Sequence, residues 1–266
     1  MSDRRAPAST RKARLDALLV DRGLAESRSL AQRLIMAGEV RVDGQVALKP
    51  GHEVDRQVAI EVTARPRFVS RGGEKLEAAL TAFGLEPRQA VCADVGASTG
   101  GFTDCLLQHN ALKVYAVDVG HGILHWSLRQ DPRVVVLERT NARYLDSLPE
   151  PVDWATIDAS FISLQLILPA VVRWLKPDAE VVALVKPQFE AGREAVGRGG
   201  VVRDPQVHRQ VLEAVVGALG PLGLHAWGII RSPLLGPKGN VEFLLWARPG
   251  RPAPQVVQFP PLDLPA

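Results

Sequence analysis

The spacing of apolar residues in the first part of the chain predicts a small unit of helices and strands. Residues 14–20 have helical spacing that Gly23 ends, and a second helix is predicted over residues 28–37, after the N-cap candidate Ser27. Alternating residues then flank the Asp-Gly pair at 43–44, which is a strong signal for a hairpin. A further short strand is predicted to end at Val62. A unit of roughly 50 residues is marginally stable alone, so we expect it to serve as an appended binding module.

From residue 75 onward, short apolar strands alternate with helices. Strands interleaved with helices predict a mostly parallel sheet with helices on both faces, which is an α/β fold. The predicted strands are 90–95, 113–117, 134–137, 154–157, 181–185, 224–230 and 241–246. The pattern therefore divides the chain into a small α+β domain at 1–62 with a flexible lead at 1–12, a linker at 63–69, an α/β domain at 70–248 and a Pro-rich, extended tail at 249–266.

Composition narrows the class of protein. An apolar fraction of 46% supports a sizeable core. The first residues are basic and polar without the apolar run of a secretory signal, and no stretch reaches the roughly 18 apolar residues of a membrane helix. We therefore expect a cytoplasmic protein that does not insert into membranes. The two cysteines, Cys92 and Cys105, form no CxxC pair, which predicts small buried side chains and no metal site.

Charge is unevenly distributed along the chain. Residues 1–75 hold 15 Lys and Arg against 10 Asp and Glu, a net charge of +5, whereas the remainder holds 17 against 19, a net charge of −2. A basic segment of this kind either contacts a polyanion such as nucleic acid or forms a merely solvated face. Charge alone leaves both interpretations open.

A glycine-rich loop follows the first strand of the α/β part and is preceded by an acid. The motif Asp-Val-Gly-Ala-Ser-Thr-Gly-Gly-Phe at 94–102 lacks the Gly-Lys-Ser/Thr of a phosphate-binding loop and the GxGxxG of dinucleotide folds. Glycines here allow the backbone to approach a ligand closely, although an ordinary tight turn is the alternative. The candidate cofactor contacts are Asp94, Gly96, Ser98, Thr99, Gly100, Gly101 and Phe102.

The second strand of this part ends at Asp118, 24 positions after Asp94. An acid in this position is placed to accept both hydroxyls of a ribose. A nucleoside ligand without a phosphate motif favours S-adenosylmethionine (SAM). Asn141, after the third strand, either bonds the adenine edge or caps a helix.

Two further strands end in ionisable residues. Asp158 follows the fourth strand and Lys186 follows the fifth, at the edge where open α/β sheets bind ligands. Because a charge there is costly unless it is paired, we expect the two side chains to meet. Glu242 lies within a later apolar run, where it is either a reacting group or an edge residue, and Lys75 is a further candidate cation.

At these motifs the sequence resembles a known family. Residues 14–62 resemble an S4 RNA-binding domain and residues 70–247 resemble the FtsJ-type ribose methyltransferases, and the combination is similar to the TlyA family of rRNA 2′-O-methyltransferases, some of which are labelled hemolysins. The resemblance implies a Rossmann-like, SAM-dependent methyltransferase fold with a seven-stranded sheet and an N-terminal S4 domain. It also implies a catalytic tetrad of Lys75, Asp158, Lys186 and Glu242, with cytidine 2′-hydroxyls in rRNA or ribosomal subunits as substrate.

The resulting hypothesis is direct in-line methyl transfer. Lys186 takes or orients the ribose proton, and no metal is required because the sulfonium of SAM already activates the methyl group. The expected RNA contacts are Arg14, Arg28, Arg33, Arg41, Arg67, Arg71 and Phe161. Phe161 either stacks on a flipped base or packs into the core under the sheet edge.

The alternative functions are a non-catalytic RNA-binding or ribosome-assembly factor and a membrane-lytic protein. Retention of both candidate lysines and of the glycine loop argues against the first, and the lack of a long apolar segment argues against the second. The oligomeric state and the target nucleotide stay open.

Overall fold

The structure, a computed structural model, describes residues 12–36, 38–62, 67–197, 199–236, 238–250, 252–253 and 255–262. The chain forms two compact units, Met1–Pro66 and Arg67–Ala266. Each unit is built around a core of its own.

The first unit combines two helices with short antiparallel strands. Strands β1 and β4 pair with each other, while β2 pairs with both β3 and β5. Leu15, Leu19 and Ile35 are fully buried between the helices and the strands. The elements are β1 (Lys12–Arg14), α1 (Leu15–Asp21), α2 (Arg28–Met36), β2 (Val40–Val42), β3 (Gln45–Val46), β4 (Glu53–Asp55) and β5 (Ile60–Val62).

The predicted hairpin is confirmed, and Asp43 and Gly44 at its turn both have positive φ, as such turns require. The N-terminal boundary differs from the prediction: Lys12–Arg14 is a strand, so neither the flexible lead nor the first helix includes these residues. The β1–β4 pair escaped prediction because three-residue strands carry too little periodicity. Residues 1–11 of the predicted lead lie outside the described residues.

The second unit holds all seven predicted strands of the α/β part. Its elements are α3 (Gly72–Phe83), β6 (Val91–Val95), α4 (Gly101–Gln108), β7 (Lys113–Val117), α5 (Trp126–Arg129), β8 (Val134–Leu137), β9 (Val152–Ile157), α6 (Leu164–Val171), β10 (Leu175–Val185), α7 (Pro187–Glu190), α8 (Pro205–Gly217), β11 (Leu224–Arg231) and β12 (Phe243–Pro249). Short 3₁₀ turns lie at Ala142–Tyr144, Val172–Trp174, Arg193–Ala195 and Gly220–Leu222.

These strands form one sheet in the order β11-β12-β10-β9-β6-β7-β8. The pairs from β10 to β8 are parallel, and β12 runs antiparallel to both of its neighbours. The Rossmann-like, mostly parallel seven-stranded sheet is confirmed. Because β12 is antiparallel, it begins at the edge where the parallel strands end.

Two apolar layers cover the faces of the sheet. Alternating residues of β6 point to opposite layers: Ala93 and Val95 join the layer that contains α6 and α8, and Cys92 joins the layer that contains α3 and α4. Both cysteines are free and buried, as predicted. The helices therefore hold the strand ends of the sheet in fixed positions.

The chain segments at both ends of this unit pack more firmly than the sequence indicated. Phe68 is buried, and the backbone N–H of Val69 donates to Asp104 at 2.8 Å, so residues 67–69 are anchored to α4 and are not a free linker. Residues 63–66 of the predicted linker lie outside the described residues. In the tail, Leu262 is buried in the core below the sheet. A Pro-rich composition predicts an extended backbone, but it does not predict which apolar side chains of the tail pack against the core.

None of the helices in the described ranges has the length and apolar character needed to span a bilayer.

Candidate active site at the carboxyl edge of the sheet

A cavity of about 570 Å³ opens at the carboxyl ends of β6, β9 and β10. Its size is typical of pockets for small molecules and cofactors. The lining residues fall within segments 70–75, 96–102, 158–161, 186–189 and 234–242, with Val196 and Gly200 on the remaining side. The motifs that the sequence singled out after β6, β9 and β10 thus reach this cavity.

Two ion pairs lie in the cavity wall. Lys186 Nζ is 2.6 Å from Asp158 Oδ1, and Lys75 Nζ is 2.5 Å from Glu242 Oε2. The lysine side chains are only 9% and 12% exposed, and Glu242 is 1% exposed. Removing one partner of such a pair leaves an uncompensated buried charge, which costs about 3–5 kcal/mol. The four candidate catalytic residues therefore converge as two coupled pairs.

Sheet topology explains this convergence. Asp158 and Lys186 directly follow the neighbouring parallel strands β9 and β10, so they meet as the sequence indicated. Glu242 lies just before β12 and not within a strand, and the antiparallel direction of β12 brings it to the same edge. Lys75 lies in the first turn of α3. Its partner is 167 positions away along the chain.

The glycine loop closely approaches protein backbone as well as the cavity. Gly96 has φ +82°, and a Cβ there would lie 2.7 Å from the carbonyl oxygen of Asp158. A Cβ on Gly101 would lie 2.8 Å from the backbone nitrogen of Gly73. These glycines let strand β9 and helix α3 pack against the loop, a reason that the sequence alone did not supply. Gly96, Ser98, Thr99, Gly101 and Phe102 also line the cavity.

Asp94 lies beneath the loop and does not line the cavity. Its side chain is fully buried and accepts hydrogen bonds from the hydroxyls of Thr103 at 2.6 Å and Thr156 at 3.1 Å. Burial raises the pKa of Asp94 to about 7, against the lowering effect of the two threonine hydroxyls. This geometry gives Asp94 a supporting position under the loop instead of the direct cofactor contact expected from the sequence.

Asp118 and Asn141 lie beyond the cavity wall. Asp118 accepts one backbone N–H on each carboxylate oxygen, from Ser98 at 2.8 Å and from Gly120 at 2.7 Å. Each oxygen keeps a lone pair for a further donor. Asn141 Oδ1 accepts from the backbone N–H of Arg143 at 3.0 Å, which is the capping alternative. Gly100, the remaining loop glycine, is packed against Leu124 and Leu128.

Phe161 lies at the cavity and is 90% exposed. Its ring centroid lies 5.1 Å from that of Phe189. The alternative that Phe161 packs into the core is therefore wrong. Arg71 is exposed and lines the cavity, whereas Arg67 is paired with Glu77 at 2.8 Å.

In the first unit, a buried acid holds two of the candidate RNA contacts. Asp16 is fully buried and lies 2.9 Å from Arg14 Nη2 and 3.2 Å from Arg28 Nε. The hydrogen bond from Arg14 is the main cause that lowers the pKa of Asp16. Both guanidinium groups stay about half exposed, and Arg33 and Arg41 are exposed. The unit thus presents arginines on its surface, two of them in fixed orientations.

The cavity wall contains residues that the sequence analysis did not single out. They include Ser160, Gln188, Phe189, Lys238 and Asn240. The first three belong to the Asp158 and Lys186 motifs, so their position next to a candidate reacting group was the available signal. Lys238 and Asn240 lie in the loop before β12, and this loop reaches the cavity because β12 is antiparallel and begins at that edge of the sheet.

A polar cluster joins α3 to α4 away from the cavity. Glu77 accepts from His109 at 2.6 Å and pairs with Arg67, and the Cys105 thiol lies 3.7 Å from the same carboxylate. These bonds lower the pKa of Glu77 in spite of its partial burial, which raises it. The cluster fixes the helix that carries Lys75 against the helix that follows the glycine loop.

Comparisons with known proteins agree with this geometry. The FtsJ-like methyltransferase family matches residues 68–249, and the S4 domain matches residues 13–60. The 16S/23S rRNA (cytidine-2′-O)-methyltransferase TlyA of Mycobacterium tuberculosis is 52% identical over 242 residues, which is 90% of each protein. A solved Streptococcus thermophilus structure that carries the name hemolysin is 44% identical, with a TM-score of 0.69 and 92% of both chains covered.

A more distant solved structure is similar in fold alone. It is described as an S-adenosylmethionine-dependent methyltransferase from Listeria monocytogenes and is 17% identical, with a TM-score of 0.51. The match covers 68% of this chain and 100% of that chain.

Proposed function

Because the chain belongs to the FtsJ-like methyltransferases and, among them, to the TlyA family of rRNA (cytidine-2′-O)-methyltransferases, we propose that it methylates a cytidine 2′-hydroxyl in ribosomal RNA. The observation that carries this proposal is the convergence of two lysine–carboxylate pairs on a cavity that the glycine loop also lines. Such a site suits alignment and deprotonation of a hydroxyl beside a bound nucleoside cofactor.

The residues around the cavity fit SAM. The loop from Gly96 to Phe102 carries no lysine for phosphates, and the Asp118 carboxylate at the end of β7 keeps acceptor capacity for two ribose hydroxyls. When bound, SAM supplies a methyl group already activated by its sulfonium. Asp94 supports the loop from below, and Asn141, whose cap uses its side-chain oxygen, would offer its amide nitrogen to the adenine.

Lys186 has the central role among the protein groups. Its amine faces the cavity and takes or orients the proton of the 2′-hydroxyl, while Asp158 holds it in place. Lys75 and Glu242 form the second pair and complete a polar wall around the hydroxyl. The enzyme mainly supplies alignment, with reacting atoms about 3–3.5 Å apart.

The RNA is recognised by both units. The S4 domain presents Arg14, Arg28, Arg33 and Arg41, which suit contacts to phosphates. Arg71 lies at the cavity, and the exposure of the Phe161 ring at the cavity supports a role in stacking on a flipped base. An rRNA substrate, free or within a ribosomal subunit, places the reaction in the cytoplasm.

Mass spectrometry of rRNA nucleosides tests the methylation. Ribosomal subunits from a strain that lacks this protein are incubated with SAM and the purified chain, and we expect 2′-O-methylcytidine to form. Lys186→Ala should lower the rate by about 10²–10⁴, the usual contribution of a general base. Lys176→Ala is the matched control, since Lys176 lies at the start of the same strand and pairs with Asp153. Absence of the product with the wild-type chain would refute the proposal.

Calorimetry tests the cofactor site separately. We expect SAM to bind the full chain and Asp118→Ala to bind it much more weakly, because both ribose hydroxyls lose their acceptor. Equal affinity in the two proteins would rule out the ribose assignment.

A further inference from the structure

The Lys186 amine has a second partner besides Asp158. It donates a hydrogen bond to Ser160 Oγ at 2.9 Å, and Ser160 lies two residues after Asp158 in the loop that leaves β9. Both Ser160 and Lys186 line the cavity. A carboxylate and a hydroxyl from one loop therefore contact the same nitrogen, and the hydroxyl forms the hydrogen bond.

We propose that Ser160 is a positioning residue for Lys186, and its role in methyl transfer rests on the function proposed above. A tetrahedral amine has three bonding directions besides its bond to Cε. The Asp158 contact is an ion pair without hydrogen-bond geometry, so it leaves the amine free to rotate about its Cε–Nζ bond, whereas the hydrogen bond to Ser160 fixes that rotation. With Ser160 in one direction and the Asp158 carboxylate beside the second, the third direction is fixed as well. That third direction, an N–H or the lone pair of the neutral amine, meets the substrate hydroxyl.

The other contact of the amine cannot fix this direction. Lys186 Nζ lies 5.9 Å from the centroid of the Phe189 ring, at the outer limit of a cation–π contact. Such a contact has little dependence on rotation about the Cε–Nζ bond. The serine hydroxyl is thus the directional partner of the amine.

A purely structural role for Ser160 is disfavoured by its surroundings. Ser160 is exposed, and the loop is anchored further along by Ser163, whose hydroxyl donates to Glu190 at 2.6 Å. Glu190 also accepts the backbone N–H of Leu164 at 2.7 Å. The loop therefore keeps its anchor when Ser160 loses its hydroxyl.

Single-turnover methylation at saturating SAM and rRNA tests the proposal. We expect Ser160→Ala to lower the rate about 10-fold to 100-fold, because misplacement of a reacting group by about 1 Å costs up to 10². Affinity for SAM and RNA should stay unchanged, and Ser160→Thr should restore the rate since it keeps the hydroxyl. Ser163→Ala is the matched control in the same loop: it should lower the melting temperature while retaining the rate.

A second measurement does not depend on methyl transfer. Lys186 is acetylated with an amine-reactive reagent, and mass spectrometry measures the extent of labelling. The extent of labelling reports how readily the amine leaves its partners. Loss of one hydrogen bond should raise its labelling about fivefold in Ser160→Ala, and Ser160→Thr should match the wild type.

Three results would overturn the inference: a wild-type rate in Ser160→Ala, an equal loss of rate in Ser163→Ala, or identical labelling of Lys186 in every variant. If the wild-type chain methylates no rRNA, the proposed function fails by itself, and the labelling still decides whether Ser160 holds Lys186.

Discussion

At the scale of single residues, Phe161 has both a backbone conformation and a solvent exposure that are energetically unfavourable for a large apolar side chain. It is a bulky residue with φ +64°, in the left-handed region that L residues with side chains avoid, and its ring is 90% exposed. This backbone conformation costs about 1–2 kcal/mol. Because the ring stays exposed, hydrophobic burial contributes little free energy to offset that cost. Its position beside Phe189 at the cavity gives this arrangement a use, since an exposed aromatic surface stacks well on a flipped base.

We expect Phe161→Ala to reduce methylation while leaving the melting temperature and SAM affinity near those of the wild type. Phe161→Trp or Tyr should retain much of the activity, because base stacking on an aromatic ring is worth about 1–3 kcal/mol. Tyr144→Ala is the control, since Tyr144 is another exposed aromatic of the same unit but does not line the cavity. Parallel loss of stability and of SAM binding in Phe161→Ala would instead assign the ring a structural role.

Asp94 makes the stability of the second unit depend on pH. Its pKa in the folded chain is about 7, above the ordinary value of 3.8, because the carboxyl is buried. Between these two pH values the folded state binds more protons at this site than the unfolded state does. The contribution of Asp94 to stability is therefore complete below about pH 4 and declines as the pH rises towards 7.

Urea unfolding between pH 5 and pH 8 measures this effect. As the pH rises, titration of Asp94 should lower the free energy of unfolding by at most about 1.4 kcal/mol per pH unit. The variant Asp94→Asn should lack this contribution to the slope. Tryptophan fluorescence reports on the second unit alone, because all five tryptophans lie there. Curves of equal slope for wild type and variant would contradict the raised pKa.

At the scale of elements, the contact between α3 and α4 determines where Lys75 lies. The two helices begin side by side, with Gly101 against the backbone of Gly72 and Gly73. The Glu77–His109 pair joins them further along, and Asp104 binds the backbone of Val69. A side chain between the two helix starts would push α3 outward and separate Lys75 from Glu242.

We expect Gly101→Ala to lower stability by about 1–3 kcal/mol, the usual cost of overpacking, and to reduce methylation. Its Cβ would lie 2.8 Å from the backbone nitrogen of Gly73, which no side-chain rotation relieves. Gly217→Ala is the control, because a Cβ there meets nothing within 4 Å and a helical alanine is favoured over glycine. Thermal melting of both variants is the measurement, and an unchanged melting temperature in Gly101→Ala would contradict the close packing.

At the scale of the whole molecule, the chain consists of two units with separate cores and different functional features. The first unit carries the S4 match and the surface arginines, and the second carries the cavity. Loss of residues 1–62 should abolish methylation of rRNA but preserve SAM binding, which calorimetry and the nucleoside assay measure together. If the truncated chain still methylates rRNA normally, the S4 domain is not the docking module.

Point variants give the same test in the full chain. Arg33→Gln combined with Arg41→Gln should weaken RNA binding and reduce its dependence on salt, because phosphate contacts are lost. Arg14 and Arg28 are unsuitable, since their removal leaves the buried Asp16 without its cationic partners and destabilises the unit.

Much of this architecture follows from local sequence patterns. Apolar runs located all seven strands of the sheet, and the turn at Asp43 and Gly44 located the hairpin, because burial and turn geometry act over a few residues. The positions of Asp158 and Lys186 directly after strands implied that they share one edge. A parallel pair of strands then brings them within 2.6 Å.

Only the tertiary structure decided the features that depend on contacts between distant segments. The Lys75–Glu242 pair joins residues 167 positions apart and requires β12 to run antiparallel, which no local pattern encodes. Burial of Asp94 under the loop and exposure of Phe161 likewise depend on which neighbours cover each side chain. Periodicity specifies the face that a residue occupies in its own element. The packing of elements against each other determines whether that face meets protein, solvent or substrate.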